Sequence, residues 1–535
     1  MKQANPFWKT GILAAAASLV AAPIGATMLA SLTAGGPDLE MWRSVGLDYL
    51  VGTIVLCGLV GVGALVIGAG AAMIVTLADF PGRRLFTIAL ALPFAIPAYV
   101  AAYAYADVLG PFGPVASLVG PDRMPEIRSL PGAAFVLILM TYPYVYLAVT
   151  ASLGGRSGAL METARTLGAT PANAARRILL GAGRPALAGG LALALMETAA
   201  DYGVADFFGA QTLSVGIFRT WYGLGDLGAA TQLAAGLFLV ALMLALLEEK
   251  TRRGEGAENT RAHRARARLK LSKRDAGLAI FACTAPVILG FAIPAGVLFA
   301  RLDPDFSASA LRGLSQSLTN TALVAGIGAG AATLIALMLA YAARRTRSGT
   351  GKMLLRVATM GYAIPGAVIA IGILALTAGI ARATGAAVAG GIAILLYAYV
   401  ARFLTAGYNA AAGGLQQVSP QMDAAARNLG ASPSLILTAI HWPQTRGPIL
   451  AGAAIVAIDI AKELPATLLL RPFNFETLST RIYRLASDER LADAAPAALL
   501  LIAVGLIPTL ALSRISGSAE RRQSSTVPKA GIATS

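Results

Sequence analysis

Cysteine, histidine and charge are all scarce in this sequence of 535 residues. Its two cysteines, Cys57 and Cys283, each lie inside an apolar run, where a cysteine ordinarily behaves as a small buried hydrophobic residue, and this excludes a disulfide framework. Of its two histidines, His263 lies in a basic segment and His441 lies beside Trp442 at a predicted membrane edge, so neither is expected to supply a metal cluster. Charged residues make up 13% of the chain, against roughly a quarter in soluble domains, so an ordinary soluble protein is excluded.

A nucleotide-binding loop is also missing. The nearest match is Gly349–Lys352, but Thr346 stands where the phosphate-binding loop requires its first glycine. Met353 follows the lysine, where that loop requires serine or threonine. Any ATP hydrolysis linked to this chain must therefore take place in another polypeptide.

Long apolar runs dominate what is present. Hydrophobic residues make up 56% of the chain and the mean hydropathy is +0.68. Runs of about 20 residues, the length that crosses a bilayer, begin near twelve positions: Gly11, Asp48, Leu85, Gly132, Ala186, Gly228, Gly277, Leu318, Leu354, Ala386, Gly447 and Ala494. These runs predict an all-α integral membrane protein of about twelve transmembrane helices. Ala22–Ala26 resembles a signal-peptide cleavage site, but the run before it is long and eleven more follow, which favours a retained helix.

Positive charge is concentrated in alternate loops. Most of the 43 lysines and arginines lie on one side of the predicted spans, together with both termini. The clusters are Arg83 and Arg84, Arg176 and Arg177, the stretch 250–274, and Arg344, Arg345 and Arg347. By the positive-inside rule both termini are predicted to be cytoplasmic. These residues flank spans, so their positions are explained by the orientation of the chain in the lipid bilayer. Nucleic acid is therefore not expected as a partner.

The two halves of the chain repeat each other. METARTLGATPANAARRIL, 161–179, resembles DAAARNLGASPSLILTAIHWP, 423–443, and superimposing Gly168 on Gly430 also aligns Arg165 with Arg427. Thr53 aligns with Thr321 in a slightly shifted register. We predict a first six-span repeat at 1–248, a basic linker at 249–275, a second repeat at 276–515 and a cytoplasmic tail at 516–535. An even number of spans makes the repeats parallel, related by an axis along the membrane normal.

The repeated polar stretch lies between the fourth and fifth spans of each half. Met161, Ala164 and Leu167 recur at helical spacing, and Gly168 to Pro171 favours a turn before a second helix. An interfacial helix pair is one interpretation. A docking element for a two-fold partner is the other, and the duplication favours it.

This stretch resembles the EAA loop of binding-protein-dependent ABC importer permeases, which seats in a groove of the ATPase subunit. The resemblance implies ATPase-coupling residues in both loops: Glu162, Thr163, Ala164, Arg165, Gly168, Asp423, Ala424, Ala425, Arg427 and Gly430. Ala424 occupies the position of Glu162, and the acid of the second loop comes one residue earlier, as Asp423. The two loops are therefore expected to engage their partners unequally.

Three further stretches resemble the fused permeases of ferric-iron importers. These are 79–103, 200–222 and 462–489; thiamine importer permeases resemble the last less completely. The resemblance implies the type I ABC importer permease fold and alternating access in the bacterial cytoplasmic membrane. It also implies two copies of an ATPase subunit and a periplasmic binding protein that delivers ferric iron, with no cofactor and no enzymatic activity in this chain.

Charged residues inside the predicted spans mark candidate pathway or gating positions. They are Glu197 and Asp201 in the fifth span and Asp459, Lys462 and Glu463 in the eleventh. One interpretation is an acidic lining that conducts cations. The other, which we favour, is a structural or gating group in which Asp459 or Glu463 offsets Lys462.

Two prolines and two tyrosines complete the candidates. Pro97 and Pro365, in matched Ile-Pro turns, either break the third and ninth spans near the pathway or only kink them. Tyr202 and Tyr483 are possible ligands of a hard cation, although tyrosine at a membrane edge is more often an interfacial anchor.

A secondary transporter of the major facilitator type is the main alternative, since it also has two parallel halves of six spans. Asp79–Arg84 resembles that family's loop signature, but Val75 stands where the signature has glycine. A facilitator also needs no duplicated helical loop after the fourth span, which disfavours this alternative.

Overall fold

The computed structural model describes residues 7–33, 39–153, 157–252, 268–303, 308–344, 346, 348–386 and 390–524. The helices of the first half are α1 (Phe7–Thr33), α2 (Leu39–Met41), α3 (Leu47–Leu77), α4 (Arg83–Ala89), α5 (Ala98–Leu109), α6 (Pro114–Val119), α7 (Leu130–Leu153), α8 (Ser157–Thr166), α9 (Pro171–Leu180), α10 (Arg184–Ala200), α11 (Gly203–Phe207), α12 (Leu213–Phe218) and α13 (Leu227–Arg252).

The second half is built in the same way. Its helices are α14 (Lys273–Val287), α15 (Ile293–Ala300), α16 (Ala308–Ala343), α17 (Gly349–Ala358), α18 (Gly366–Thr384), α19 (Ile392–Gln416), α20 (Pro420–Asn428), α21 (Pro433–Ile436), α22 (Trp442–Lys462), α23 (Pro465–Leu470), α24 (Leu478–Ser487) and α25 (Leu491–Ser524). Two short strands, β1 (Ala78–Asp79) and β2 (Leu269–Lys270), pair in parallel.

The all-α membrane class predicted from the apolar runs is confirmed. Among the described residues, eight helices are long and apolar enough to cross a membrane, and ten are if each of two bent pairs counts as one span. α22 and the apolar stretch Leu491–Ile507 lie at the eleventh and twelfth predicted positions. The count of twelve stays a prediction.

Two elements lie at the predicted domain bounds, which stay a prediction. α25 continues through Ser524, past the predicted start of the tail at residue 516. Within the predicted linker, β2 pairs with β1 in the loop that follows α3, so this part of the linker is anchored to the first half. Residues 253–267, His263 among them, and Arg345, Arg347 and 525–535 lie outside the described residues.

The aligned threonines make the same buried contacts in the two halves. The Thr53 hydroxyl accepts the backbone N–H of Leu213 at 2.9 Å, and the Thr321 hydroxyl accepts that of Leu478 at 2.8 Å. Both N–H groups belong to the first turn of a helix, where no intrahelical acceptor is available. The threonine of each second span therefore fixes the start of the helix that follows the fifth or eleventh.

The first helix of each half packs against the other half. α1 packs along α17 and α18, and the Tyr397 hydroxyl donates to the Leu19 carbonyl at 2.9 Å. Gly372 allows this approach, because a Cβ there would lie 2.1 Å from the Pro23 carbonyl oxygen. In the same way, α15 packs against α5. The two repeats are therefore interlocked rather than placed side by side.

Candidate functional site

The candidate acids Asp201 and Glu463 each begin a short helix. Asp201 Oδ1 accepts the N–H groups of Val204 and Ala205 at 2.9 and 3.2 Å, at the start of α11. Glu463 Oε1 accepts the N–H of Ala466 at 2.9 Å, at the start of α23. A carboxylate at a helix N-terminus satisfies otherwise unpaired donors and interacts favourably with the helix dipole. The two acids thus hold the bend that follows α10 and α22.

Glu463 also forms an ion pair that the sequence analysis missed. Its Oε2 lies 2.5 Å from Nη1 of Arg402, which projects from α19, and both side chains are almost fully buried. An arginine inside an apolar span is itself a signal of a functional or structural site, and it was available in the sequence.

Lys462 keeps one of its two expected neighbours. Its Nζ donates to the Phe94 carbonyl at 3.1 Å, and the charge of Asp459 also acts on it. Glu463, the other expected partner, is paired with Arg402, because α22 ends at Lys462 and Glu463 leaves the helical face on which the spacing would have placed it. Through the Phe94 carbonyl, Lys462 bridges the eleventh and third predicted spans.

The candidate pathway residues meet at one cavity of about 180 Å³ between the halves. Its ionisable lining comprises Glu197, Asp201, Asp459, Glu463, Arg402 and Lys462. Four carboxyl groups and two basic groups thus line the same cavity, together with Tyr144. The structure therefore brings together all five charged residues that were proposed from the sequence.

Both proline positions are true breaks in the helix. Pro97 has an extended conformation with ψ of 138°, and the helical segments on its two sides, Arg83–Ala95 and Ala98–Val119, are bent by 90°. Pro365 has the same ψ and separates α17 and the turn at Gly361–Ala363 from α18. Pro97 lines the cavity, and Pro365 lines a smaller pocket that shares Glu197 and Arg402 with it. Their part in gating stays a prediction.

The duplicated polar stretch forms a helix, a tight turn and a second helix in each half. Gly168 has φ of +82° and Gly430 has φ of +78°, in the left-handed region that glycine adopts without strain. The Ala169 N–H donates to the Ala164 carbonyl, and the Ala431 N–H donates to the Ala426 carbonyl, both at 3.0 Å. The same hydrogen bond thus closes the first helix on both sides.

The two loops differ in how their acids are held. Glu162 is exposed, whereas Asp423 is buried and its Oδ1 lies 2.7 Å from Nε2 of His441. The other ring nitrogen of His441 is 2.7 Å from the Tyr341 hydroxyl. Arg344 Nη1 lies 3.6 Å from Asp423 Oδ2. The second loop is therefore fastened to the end of α16, whereas the unequal engagement of partners expected from the displaced acid stays a prediction.

The Asp423 environment has a clear effect on its acidity. Burial by itself raises the pKa of this carboxyl group, but the hydrogen bond with His441 and the charges of Arg344 and Arg427 outweigh burial. The pKa is lowered below its usual value, and Asp423 is a carboxylate at neutral pH.

Comparisons with known proteins match this architecture to transport permeases. No family model matches the chain. The Fe(3+)-transport system permease protein FbpB 2 of Haemophilus influenzae is 24% identical over 529 residues, 96% of this chain and 99% of that protein. The sulfate transport system permease protein CysW of Escherichia coli is 28% identical over 208 residues, 36% of this chain and 72% of that protein. The putative 2-aminoethylphosphonate transport system permease protein PhnV of Salmonella typhimurium is 27% identical over 224 residues, 41% of this chain and 82% of that protein.

Proposed function

We infer that this chain, a fused two-repeat permease of the ABC importer class, carries ferric iron across the bacterial cytoplasmic membrane. The observation that carries the inference is the resemblance to an Fe(3+)-transport permease over 96% of the chain. The central cavity supports a cationic cargo, because four carboxyl groups and two basic groups line it. Sulfate, the cargo in the name of a shorter relative, is disfavoured by that lining.

Two ATPase subunits would dock on the two helix–turn–helix loops. Each loop presents a leucine at its tip, Leu167 with 80% and Leu429 with 87% of its surface exposed. Exposed leucines are unfavourable in water and suit insertion into an apolar groove of a partner. The coupling residues Glu162–Arg165 and Asp423–Arg427 lie on the helices that lead to these tips.

The transport cycle we propose is alternating access. Movement of the loops would pass directly into α10 and α22, which follow them in the chain. Both helices end at the acids that cap α11 and α23, at the edge of the cavity. Tilting α10 and α22 would therefore move Asp201 and Glu463 and open the cavity to one side of the membrane at a time.

The remaining parts of the proposal follow from the repeats and the charge pattern. Both termini and the two loops would be cytoplasmic, where ATP is available. ATP hydrolysis would take place in the separate ATPase subunits, and this chain would need no cofactor. A periplasmic binding protein would release ferric iron above the cavity, where the segment 471–493 would meet it.

Uptake into vesicles tests the cargo and the energy source together. The permease, its ATPase and its binding protein are reconstituted, and entry of labelled ferric iron, thiamine and sulfate is measured with and without internal ATP. We expect ATP-dependent entry of iron alone. Entry of thiamine or sulfate instead would overturn the proposed cargo, and uptake driven by a proton gradient without the ATPase would favour the facilitator class.

A pair of variants tests the docking loops. Leu167→Ser with Leu429→Ser should reduce co-purification of the ATPase by at least tenfold. Leu85→Ser is the matched control, since Leu85 is also exposed, at 68%, but lies outside the loops. Equal ATPase binding by the double variant and the control would exclude the loops as the docking site.

A further inference from the structure

A chain of hydroxyl and carboxyl groups joins the two halves beside the central cavity. The Tyr202 hydroxyl lies 2.8 Å from the Tyr483 hydroxyl, which donates to Asp206 Oδ2 at 2.7 Å. Tyr202 and Asp206 belong to the first half and Tyr483 to the second. Tyr202 is held by stacking on Phe218, with ring centroids 3.7 Å apart. Three oxygen atoms are therefore fixed close together at the interface of the repeats.

Two more phenols extend this group and have no hydrogen-bond partner. Tyr99 is 5% exposed and Tyr103 is 2% exposed, and the hydroxyl of each lacks a partner among the described residues. The rings of the two tyrosines are 6.1 Å apart, and Tyr103 is within electrostatic range of Tyr483 and Asp206. A buried hydroxyl without a partner costs free energy, and packing alone would be served by phenylalanine.

The phenols connect directly with the candidate pathway. Tyr99 and Tyr202 both line the central cavity, as does Asp201. The cavity, at about 180 Å³, is large enough to hold a cation together with several water molecules. A cation in the cavity would therefore lie beside two members of the phenol group.

The donor set selects for a hard cation. Phenol and carboxyl oxygens suit small, highly charged ions, whereas softer metals prefer thiolate and imidazole ligands. Among the described residues, no group of three or more histidine, cysteine, aspartate or glutamate side chains gathers as a metal site. The tyrosines therefore add phenol oxygens to the carboxyl oxygens of Asp206 and of the cavity lining.

We propose that Tyr202, Tyr483 and Asp206 form a transit site for a hard trivalent cation, with the Tyr99 and Tyr103 hydroxyls as its additional donors toward the cavity. The proposal rests on the inferred ferric cargo and names the site that receives it. Each phenol that binds the ion gives up its proton to water, and the ion exchanges bound water for phenolate oxygen. No change in oxidation state is involved.

Visible absorption of the full-length permease in lipid nanodiscs tests the site. Ferric nitrilotriacetate is added, and a phenolate-to-iron charge-transfer band is recorded. We expect a saturable band at one iron per chain, which Ga³⁺ removes by competition. Tyr483→Phe should weaken iron binding at least tenfold, and Asp206→Asn should do the same if the phenylalanine variant does not fold.

Tyr397→Phe is the matched control. The Tyr397 hydroxyl also links the two halves, through the Leu19 carbonyl, but takes no part in the phenol group. The control should keep the full band. A band in wild type that Tyr483→Phe and Asp206→Asn leave unchanged would overturn the proposal, as would no band at all, the result expected if the tyrosines are only a latch between the halves.

The failure of this site and the failure of the proposed function give different results. ATP-driven iron uptake by vesicles whose permease shows no band would overturn the transit site and leave the cargo in place. A tyrosine-dependent band in a permease that transports thiamine or sulfate, but not iron, would support the site as a cation site and overturn the cargo.

Discussion

At the scale of single residues, Arg402 marks a difference between the two halves. A Cβ at Gly190 would lie 3.1 Å from the Ala148 Cβ, and a Cβ at Gly452 would lie 2.3 Å from the Ala410 Cβ, which aligns the two halves here. This alignment places Met140 of the first half where the second half has Arg402, and both side chains line the cavity. At this position the second half has a buried ion pair and the first half has an apolar side chain, so the charge of the cavity lining is asymmetric.

Replacing Arg402 by methionine, the residue type at the aligned position of the first half, tests the ion pair with Glu463. Arg402→Met leaves the carboxyl group of Glu463 buried without its partner, which should cost about 3 kcal/mol in the free energy of unfolding. The measurement is unfolding in mixed micelles. The control, Arg402→Met with Glu463→Gln, should recover most of the loss. A single variant as stable as wild type would show that the pair contributes nothing to stability.

Asp423 makes the second loop sensitive to acid. Its pKa is lowered in the folded protein, so the stabilisation is complete above the unfolded value of about 4 and is lost as pH falls through the lower folded value. A spin label at the exposed position Ala424 should become mobile in that acid range. With Asp423→Asn it should be mobile already at pH 7, while a label at Arg165 in the first loop should be unaffected. An equally immobile label at Ala424 in the variant would contradict this.

At the scale of elements, the turns of the two polar helix–turn–helix loops depend on one backbone conformation. A Cβ at Gly168 or Gly430 would meet no atom within 4 Å, so the space around both is open. Substitution would be unfavourable because of the positive φ alone, at about 1–2 kcal/mol for an L-residue and more for a β-branched one.

Gly168→Val with Gly430→Val should therefore open both turns and uncouple ATP hydrolysis from transport. The measurement is the number of iron ions moved for each ATP hydrolysed, which should fall by at least tenfold while the permease stays folded. Gly413→Val is the control, since Gly413 also has open space but an ordinary helical φ within α19. Normal coupling in the double variant would exclude the turns as the point of force transfer.

Two of the predicted apolar spans are interrupted at a proline, Pro97 in one and Pro365 in the other. The apolar pattern predicts one long helix from Leu85 and another from Leu354, and the prolines mark where each stops. Lys462 donates to the Phe94 carbonyl beside the first break, where helical hydrogen bonding has ended and the carbonyl is free to accept. A lysine on one half thus stabilises a bend in the other.

At the scale of the whole molecule, the repeated threonine contacts provide a test of the duplication. Thr53→Val and Thr321→Val each leave one buried N–H without an acceptor, which should cost about 1–3 kcal/mol. The two losses should be similar, and they should add in the double variant because the sites share no partner. Unfolding of the three variants measures this. A large loss for one threonine and none for the other would show that the halves do not use the contact equally.

Much of this protein follows from its sequence by itself. The membrane class, the duplication, the glycine turns and the candidate acids all depend on local pattern: apolar length, the periodicity of a helix, and residue types that only certain backbone conformations accept. The sequence also shows that the two polar loops differ, because Asp423 is displaced by one position from Glu162.

Only the tertiary structure decided which groups meet. Arg402 was not singled out, although its charge in an apolar span was a signal. The pairing of Glu463 with Arg402 was missed because spacing along one helix cannot show where that helix ends. The interlocking of α1 and α15 with the opposite halves, and the meeting of Tyr202 with Tyr483, join residues that are hundreds of positions apart. Such pairings are set by the packing of whole helices around the shared cavity, and no local sequence pattern determines them.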